Sequence, residues 1–199
     1  MPQQCLSTRG ELLRRGGGAI FAGTAFAALA GGADAATPSD SDLPYLRLLV
    51  AAELLAADFE RKALASGKLS RHSRVLIGKM AADDKAHYAR LAGLVTAAGQ
   101  PPASAGDIDF SYPKGSFASQ SSMLKLAAEI ETVVLGAYLG AVENVETAEL
   151  RLPIGQIAAN EAQHAGALAA LRGHSVIGRA FAPSLQIDAA SAALDRFES

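Results

Sequence analysis

The sequence predicts an all-α protein: an antiparallel four-helix bundle with a long crossover between the second and third helices and a short C-terminal helix. Four long stretches repeat apolar residues at alternating spacings of three and four, which is the period of a helix with one buried face. No stretch shows sustained β alternation. Half of the residues are hydrophobic, only 6% are aromatic and there is no Trp, a composition that favours close-packed helices.

Length, charge and cysteine content exclude several classes of protein. A chain of 199 residues is expected to form one domain. Eighteen basic and twenty acidic residues give a formal charge of −2, which argues against a nucleic-acid binder that works through a basic field. Cys5 is the single cysteine, so an intrachain disulfide and a cysteine-based zinc or iron–sulfur site are both excluded.

Residues 1–35 have the pattern of an export signal peptide, which leaves residues 36–199 as the mature domain. Three arginines precede an apolar Gly/Ala-rich run over residues 16–30, and residues 33–35 form an A-x-A cleavage site. The run is shorter than the roughly 20 residues that span a bilayer. We therefore expect export to the periplasm, the cell envelope or the medium of a bacterium, with no membrane span after cleavage. An uncleaved helix or membrane anchor is the alternative.

The route of export is suggested by residues 8–14. This segment resembles a twin-arginine signal at most positions, but Gly10 stands in place of the second arginine. The Gly-rich, weakly apolar core also resembles twin-arginine leaders. A general secretory route stays open.

The helices are bounded by breakers and by residues that favour helix caps. They are predicted over residues 42–66, 70–98, 120–150, 153–171 and 187–197. Gly67, Gly99 and Gly173 follow the first, second and fourth of them. Short links make helices one and two, and three and four, antiparallel hairpins, whereas about twenty residues rich in Gly, Pro and Ser form the crossover.

Polar residues occupy positions that packing alone would fill with Leu or Ile. Each helix places a carboxylate on its apolar stripe, and two of these acids have a histidine three residues later, on the same helical face. The residues are Glu53, Asp84, His87, Glu131, Glu161 and His164. Because Glu53 precedes Asp84 by 31 positions and Glu131 precedes Glu161 by 30, the two halves form a weak internal repeat.

Electrostatics determines what such a core requires. Several buried carboxylates are tolerated only if positive charge compensates them, and no stripe places Lys or Arg beside these acids. Two divalent cations would balance four carboxylates, with two neutral imidazoles completing the coordination, in the dinuclear pattern of four-helix bundles. Oxygen and imidazole donors favour iron or manganese, iron ahead of manganese, and leave zinc open.

These motifs resemble the ferritin-like superfamily, specifically exported bacterial ferritin-like domain proteins with twin-arginine-type leaders. The similar segments are ELLAADF, DDKAH, DFSYPKGSF, ETVVLGAYLGA and NEAQH, and the resemblance covers nearly all of residues 42–197. It implies that all six residues named above are metal ligands. It also implies a metal centre that acts on O₂, peroxide or ferrous iron.

Several alternatives remain at this point. The second-helix acid is normally Glu, and the shorter Asp84 could fail to bridge two ions, with Asp83 as a substitute ligand. A degenerate site would make the chain a non-catalytic envelope or stress-related bundle protein. Tyr138, two turns beyond Glu131, is either a hydrogen-bond donor or oxidisable group near the metals or a plain core residue. Catalytic residues are not assigned, and homo-oligomerisation is left open.

Overall fold

The computed structural model describes residues 37–198, and these fold into five helices. They are α1 (Leu43–Ala65), α2 (Arg71–Ala97), α3 (Gln120–Asn144), α4 (Ala148–Leu171) and α5 (Ile187–Asp195). Within the described range there is no strand, and β pairing is limited to an isolated bridge between Phe110 and Glu198. The predicted all-α bundle is therefore confirmed.

The helices pack as two hairpins that share one apolar core. α1 packs most extensively on α2, and α3 on α4, as the short turns between them require. α1 and α3 also lie against each other, while α2 and α4 touch least of all the packed pairs. The short helix α5 covers α1 and α3. Side chains on the inner faces of the four long helices therefore come together at the centre of the bundle.

Helix ends agree with the predicted bounds where local signals define them. Ser70 caps α2 by accepting a hydrogen bond from the Ser73 amide at 3.1 Å, and Ser119 forms a reciprocal capping box with Ser122 at the start of α3. Gly99 follows α2 with φ +73°, a left-handed conformation that side chains disfavour. These ends depend on neighbours in sequence, which is why they could be predicted.

The boundary between α3 and α4 differs from the prediction. α3 ends at Asn144 instead of continuing to residue 150, and α4 begins at Ala148 with Pro153 inside it. Asp42, at the start of α1, holds the break by accepting hydrogen bonds from the amides of Glu146 at 2.7 Å and Thr147 at 3.3 Å. The apolar period continues through this segment, so the sequence pattern alone did not reveal the turn.

The crossover and the C-terminal residues pack against the outside of the bundle. Tyr112 and Phe117 of the crossover contact Phe59 of α1, and Phe197 lies against Tyr112. Farther along α3, the segment before α5 crosses so closely that a Cβ on Gly140 would lie 1.9 Å from the Leu185 carbonyl oxygen. We call this segment, which contains Leu185 and precedes α5, the strap. Glycine is required at position 140 because the backbone of the strap leaves no room for a Cβ.

The predicted export signal, residues 1–35, lies outside the described residues. Among residues 37–198, no helix combines the length and the apolar character that crossing a membrane would require.

Candidate metal centre

All six residues singled out in the sequence come together in the middle of the bundle. Glu53 of α1, Asp84 of α2, Glu131 of α3, and Glu161 and His164 of α4 are buried. The side chain of His87 is 11% exposed. Their positions follow from the helical period, because each occupies a slot on the inner stripe of its helix.

A first set of donor atoms gathers around His87. Its Nδ1 lies 2.8 Å from Oε1 of Glu161 and 3.7 Å from both Oε1 of Glu53 and Oδ1 of Asp84. One atom from each of these four residues fits within a span of 4.8 Å. This set could hold one metal ion.

A second set gathers around His164. Its Nδ1 lies 3.4 Å from Oδ1 of Asp84, 3.7 Å from Oε2 of Glu131 and 3.2 Å from Oε2 of Glu161. Asp84, Glu131 and His164 each offer one atom to a cluster that also spans no more than 4.8 Å. This second set could likewise hold an ion.

Two carboxylates lie between the sets. Oδ1 of Asp84 is near both histidines, and Glu161 presents Oε1 to His87 and Oε2 to His164. Asp84 thus reaches both donor sets although its side chain is one methylene shorter than that of Glu. The two rings are 6.2 Å apart between centroids.

The donor chemistry fits a metal site because many of these atoms lack any hydrogen-bond partner. They include both oxygens of Asp84 and one oxygen each of Glu53 and Glu131. Buried polar atoms are rarely left unpaired in folded proteins. Among residues 37–198, the basic groups that form ion pairs with these carboxylates are the two histidines, with no Lys or Arg.

Burial and mutual repulsion shift the pKa values of the cluster. Burial, reinforced by Glu53 and Glu161, raises the pKa of Asp84 to about 8, and burial also raises the pKa of Glu53 and Glu131. Burial would lower the pKa of His87, but the adjacent carboxylates of Glu161 and Glu53 raise it to about 10. Without metal, protons supply the positive charge that the buried acids need.

Two flanking residues orient these donors. Tyr138 is fully buried and its hydroxyl donates a hydrogen bond to Oε1 of Glu53. Asp83 places Oδ2 3.5 Å from Nε2 of His164, on the side of the ring opposite Nδ1. Asp83 therefore lies behind a histidine, in the position of a carboxylate that orients a metal ligand. It does not lie in either donor set, where the sequence had suggested it as a substitute for Asp84.

One carboxylate at this centre was missed in the sequence. Glu60 of α1 is 2% exposed, and neither of its oxygens has a hydrogen-bond partner. Its neighbours Asp58, Arg61 and Lys62 are charged, so the segment resembles a solvated face. The available signal was its spacing of seven from Glu53, which places both residues on the same side of a helix.

The remaining polar residues considered in the sequence analysis lie on the surface, outside the cluster. Glu129, His72 and His174 are exposed, as expected for a solvent-facing acid and for histidines near helix ends.

Comparisons with known proteins agree with this architecture. Residues 41–174, about two thirds of the chain, match the family model of the ferritin-like domain. The comparison with curated proteins gave no match. The matched residues include all four long helices and contain every member of both donor sets. On the strength of that match, the chain belongs to the ferritin-like domain family.

Proposed function

We propose that this protein binds two divalent metal ions in its core, iron ahead of manganese, and uses them to react with O₂, peroxide or ferrous iron. The observation that carries the proposal is the pair of overlapping donor sets, built from unpartnered buried atoms and sharing Asp84 between them. Four carboxylates and two neutral imidazoles balance two divalent ions in charge and supply the hard and borderline donors that iron and manganese prefer.

The residues divide into terminal and shared donors. Glu53, His87 and Glu161 would hold one ion, Glu131 and His164 the other, and Asp84 belongs to both donor sets. When bound, such ions supply reversible oxidation and reduction. The protein supplies fixed positions: Tyr138 holds Glu53 through its hydroxyl, and Asp83 sets the orientation of the His164 ring.

Access to the centre is expected between α2 and α4. Both histidines come from these two helices, which touch each other least of the packed pairs. The side chain of His87 is 11% exposed and that of Asp83 is 35% exposed, while Glu53 and Glu161 are at most 1% exposed. Ions and small oxidants would therefore reach the cluster from its histidine side.

We also propose that the domain works outside the cytoplasm. The support is the basic, apolar and small-residue pattern of residues 1–35. The mass of the protein recovered from the envelope fraction tests this: loss of about 35 residues supports export, and an intact N-terminus contradicts it.

Metal content tests the central proposal. The purified full chain is loaded anaerobically with Fe²⁺ or Mn²⁺, desalted, and measured by elemental analysis. We expect about two ions per chain in the wild type and none in the Glu161→Ala/His164→Ala variant. Gln163→Ala, an exposed position on the same helix, is the matched control and should retain both ions.

Turnover is tested separately on the loaded protein. Consumption of O₂ or peroxide that disappears in the double variant supports an oxidoreductase. A loaded protein that consumes neither would favour the alternative, a non-catalytic metal-binding bundle. Wild-type protein that folds but binds no ion contradicts the proposed centre itself.

A further inference from the structure

Glu60 is a buried carboxylate whose oxygens have no hydrogen-bond partner. It lies two helical turns after Glu53 on α1, and its exposed fraction is 2%. Both carboxylate oxygens are buried and neither has a hydrogen-bond partner. A buried acid left in this state is costly unless something binds it.

Glu60 interacts with charged groups of the second donor set, two of which, Glu131 and His164, belong to that set alone. The charged groups that act on it are Asp84, Glu131 and His164. Burial, together with the Asp84 and Glu131 carboxylates, raises the pKa of Glu60 to about 11.

The two donor sets are unequal without Glu60. The set around His87 has four members, whereas the set around His164 has three: Asp84, Glu131 and His164. Glu60 is a further buried carboxylate that interacts with this set, and neither of its oxygens has a hydrogen-bond partner.

We propose that Glu60 is a ligand of the second metal ion and completes a four-residue set with Asp84, Glu131 and His164. This inference rests on the proposed dinuclear centre. It makes the two ions inequivalent, because the centre then contains five carboxylates instead of four and the additional one serves the second ion.

The test measures the number of bound metal ions and their affinity in matched variants. Glu60→Gln keeps the shape of the side chain and removes the anionic donor. We expect the full-length variant to bind one Fe²⁺ or Co²⁺ per chain instead of two, with the second ion weakened at least about 10–100-fold. Co²⁺ absorption provides a spectroscopic readout of the lost site, and Glu129→Gln, an exposed acid on α3, should leave both ions in place.

Double variants identify which ion is lost. Combining Glu60→Gln with Glu131→Gln should still remove only the second ion, because both residues serve the same set. Combining Glu60→Gln with Glu53→Gln should remove both ions. Glu60→Leu guards against a folding defect: it should lose the same ion while making the metal-free bundle at least as stable, since an unpaired buried acid disappears.

The possible outcomes separate this inference from the proposed function. A wild type with two ions and a Glu60→Gln variant with two ions of unchanged affinity overturns the role of Glu60 and leaves the dinuclear centre standing. Loss of both ions from the Glu60→Gln/Glu131→Gln variant also overturns it. A folded wild type that binds no ion, or one ion insensitive to Glu60→Gln, overturns both.

Discussion

At the scale of single residues, Asp42 shows how one buried carboxylate can join distant parts of the chain. It accepts hydrogen bonds from the amide and hydroxyl of Ser39 and from the amides of Glu146 and Thr147. Burial alone would raise its pKa, but the hydrogen bonds from Thr147 and Ser39 outweigh burial and lower it to about 2. Unlike the acids of the candidate metal centre, Asp42 has hydrogen-bond donors that stabilise its charge.

Asp42→Asn should destabilise the bundle by about 1–3 kcal/mol near neutral pH, because the amide presents a donor where the native carboxylate accepts. The folded pKa is lower than the unfolded value of 3.8, so the contribution of Asp42 is complete above about pH 4 and is lost as pH falls toward about 2. Urea unfolding of wild type and variant across this range checks the effect. The exposed neighbour Asp40→Asn is the control, and a difference that persists unchanged at pH 2 would contradict the assignment.

Glu60 is a residue whose burial could not be predicted from its neighbours in sequence. Its neighbours in sequence are charged, and only the fold shows that its side chain is inside. Asp83 and Asp84 are adjacent in sequence, yet Asp84 lies between both donor sets and Asp83 lies behind His164. Such assignments depend on small differences in side-chain direction that helical periodicity does not resolve.

At the scale of elements, the strap before α5 positions α3, which carries Glu131 and Tyr138. The amide of Leu185 donates a hydrogen bond to the Gly136 carbonyl at 2.9 Å, and its own carbonyl lies against Gly140. The two glycines, one helical turn apart, let the strap approach the helix backbone. The C-terminal residues are thus part of the packing that fixes the centre.

Gly140→Ala should destabilise the protein by about 1–3 kcal/mol, since the new Cβ would overlap a backbone oxygen that has to move. Gly93→Ala on α2 is the matched control. No atom lies within 4 Å of the position its Cβ would take, so it should stabilise by about 0.5–1 kcal/mol through helix propensity. Thermal or urea unfolding distinguishes them, and equal effects of the two substitutions would contradict the role of the strap.

At the scale of the whole molecule, the charge of the core couples stability to metal and pH. In the metal-free protein the pKa of Asp84 is raised to about 8 mainly by burial. For His164, burial acts to lower the pKa, but the Glu131 and Glu161 carboxylates raise it to about 11. Both groups keep protons in the folded state at pH values where the unfolded chain has released them. The free energy of unfolding should therefore fall as pH rises through the neutral range.

Bound metal should reverse much of this loss. Ions bind the deprotonated ligands, so metal binding releases protons and its stabilising effect grows with pH, reaching about 4 kcal/mol at a thousandfold excess over Kd. Urea unfolding at about pH 5.5 and about pH 8, with chelator and with Fe²⁺ or Mn²⁺, measures this. The Glu161→Ala/His164→Ala variant should show no metal effect, and a wild type equally stable with and without metal would contradict the coupling.

Helical periodicity was enough to predict the helical class, the approximate bounds of the helices and the gathering of six polar residues, because each depends on a local period of 3.6 residues. The packed fold was needed to reveal the break between α3 and α4, the strap over Gly140, the separate positions of Asp83 and Asp84, and the burial of Glu60. Those features depend on contacts between residues far apart in the chain, such as Asp42 with Glu146 and Leu185 with Gly136. A local sequence pattern cannot predict these contacts, because they form and contribute to stability only when the helices have packed.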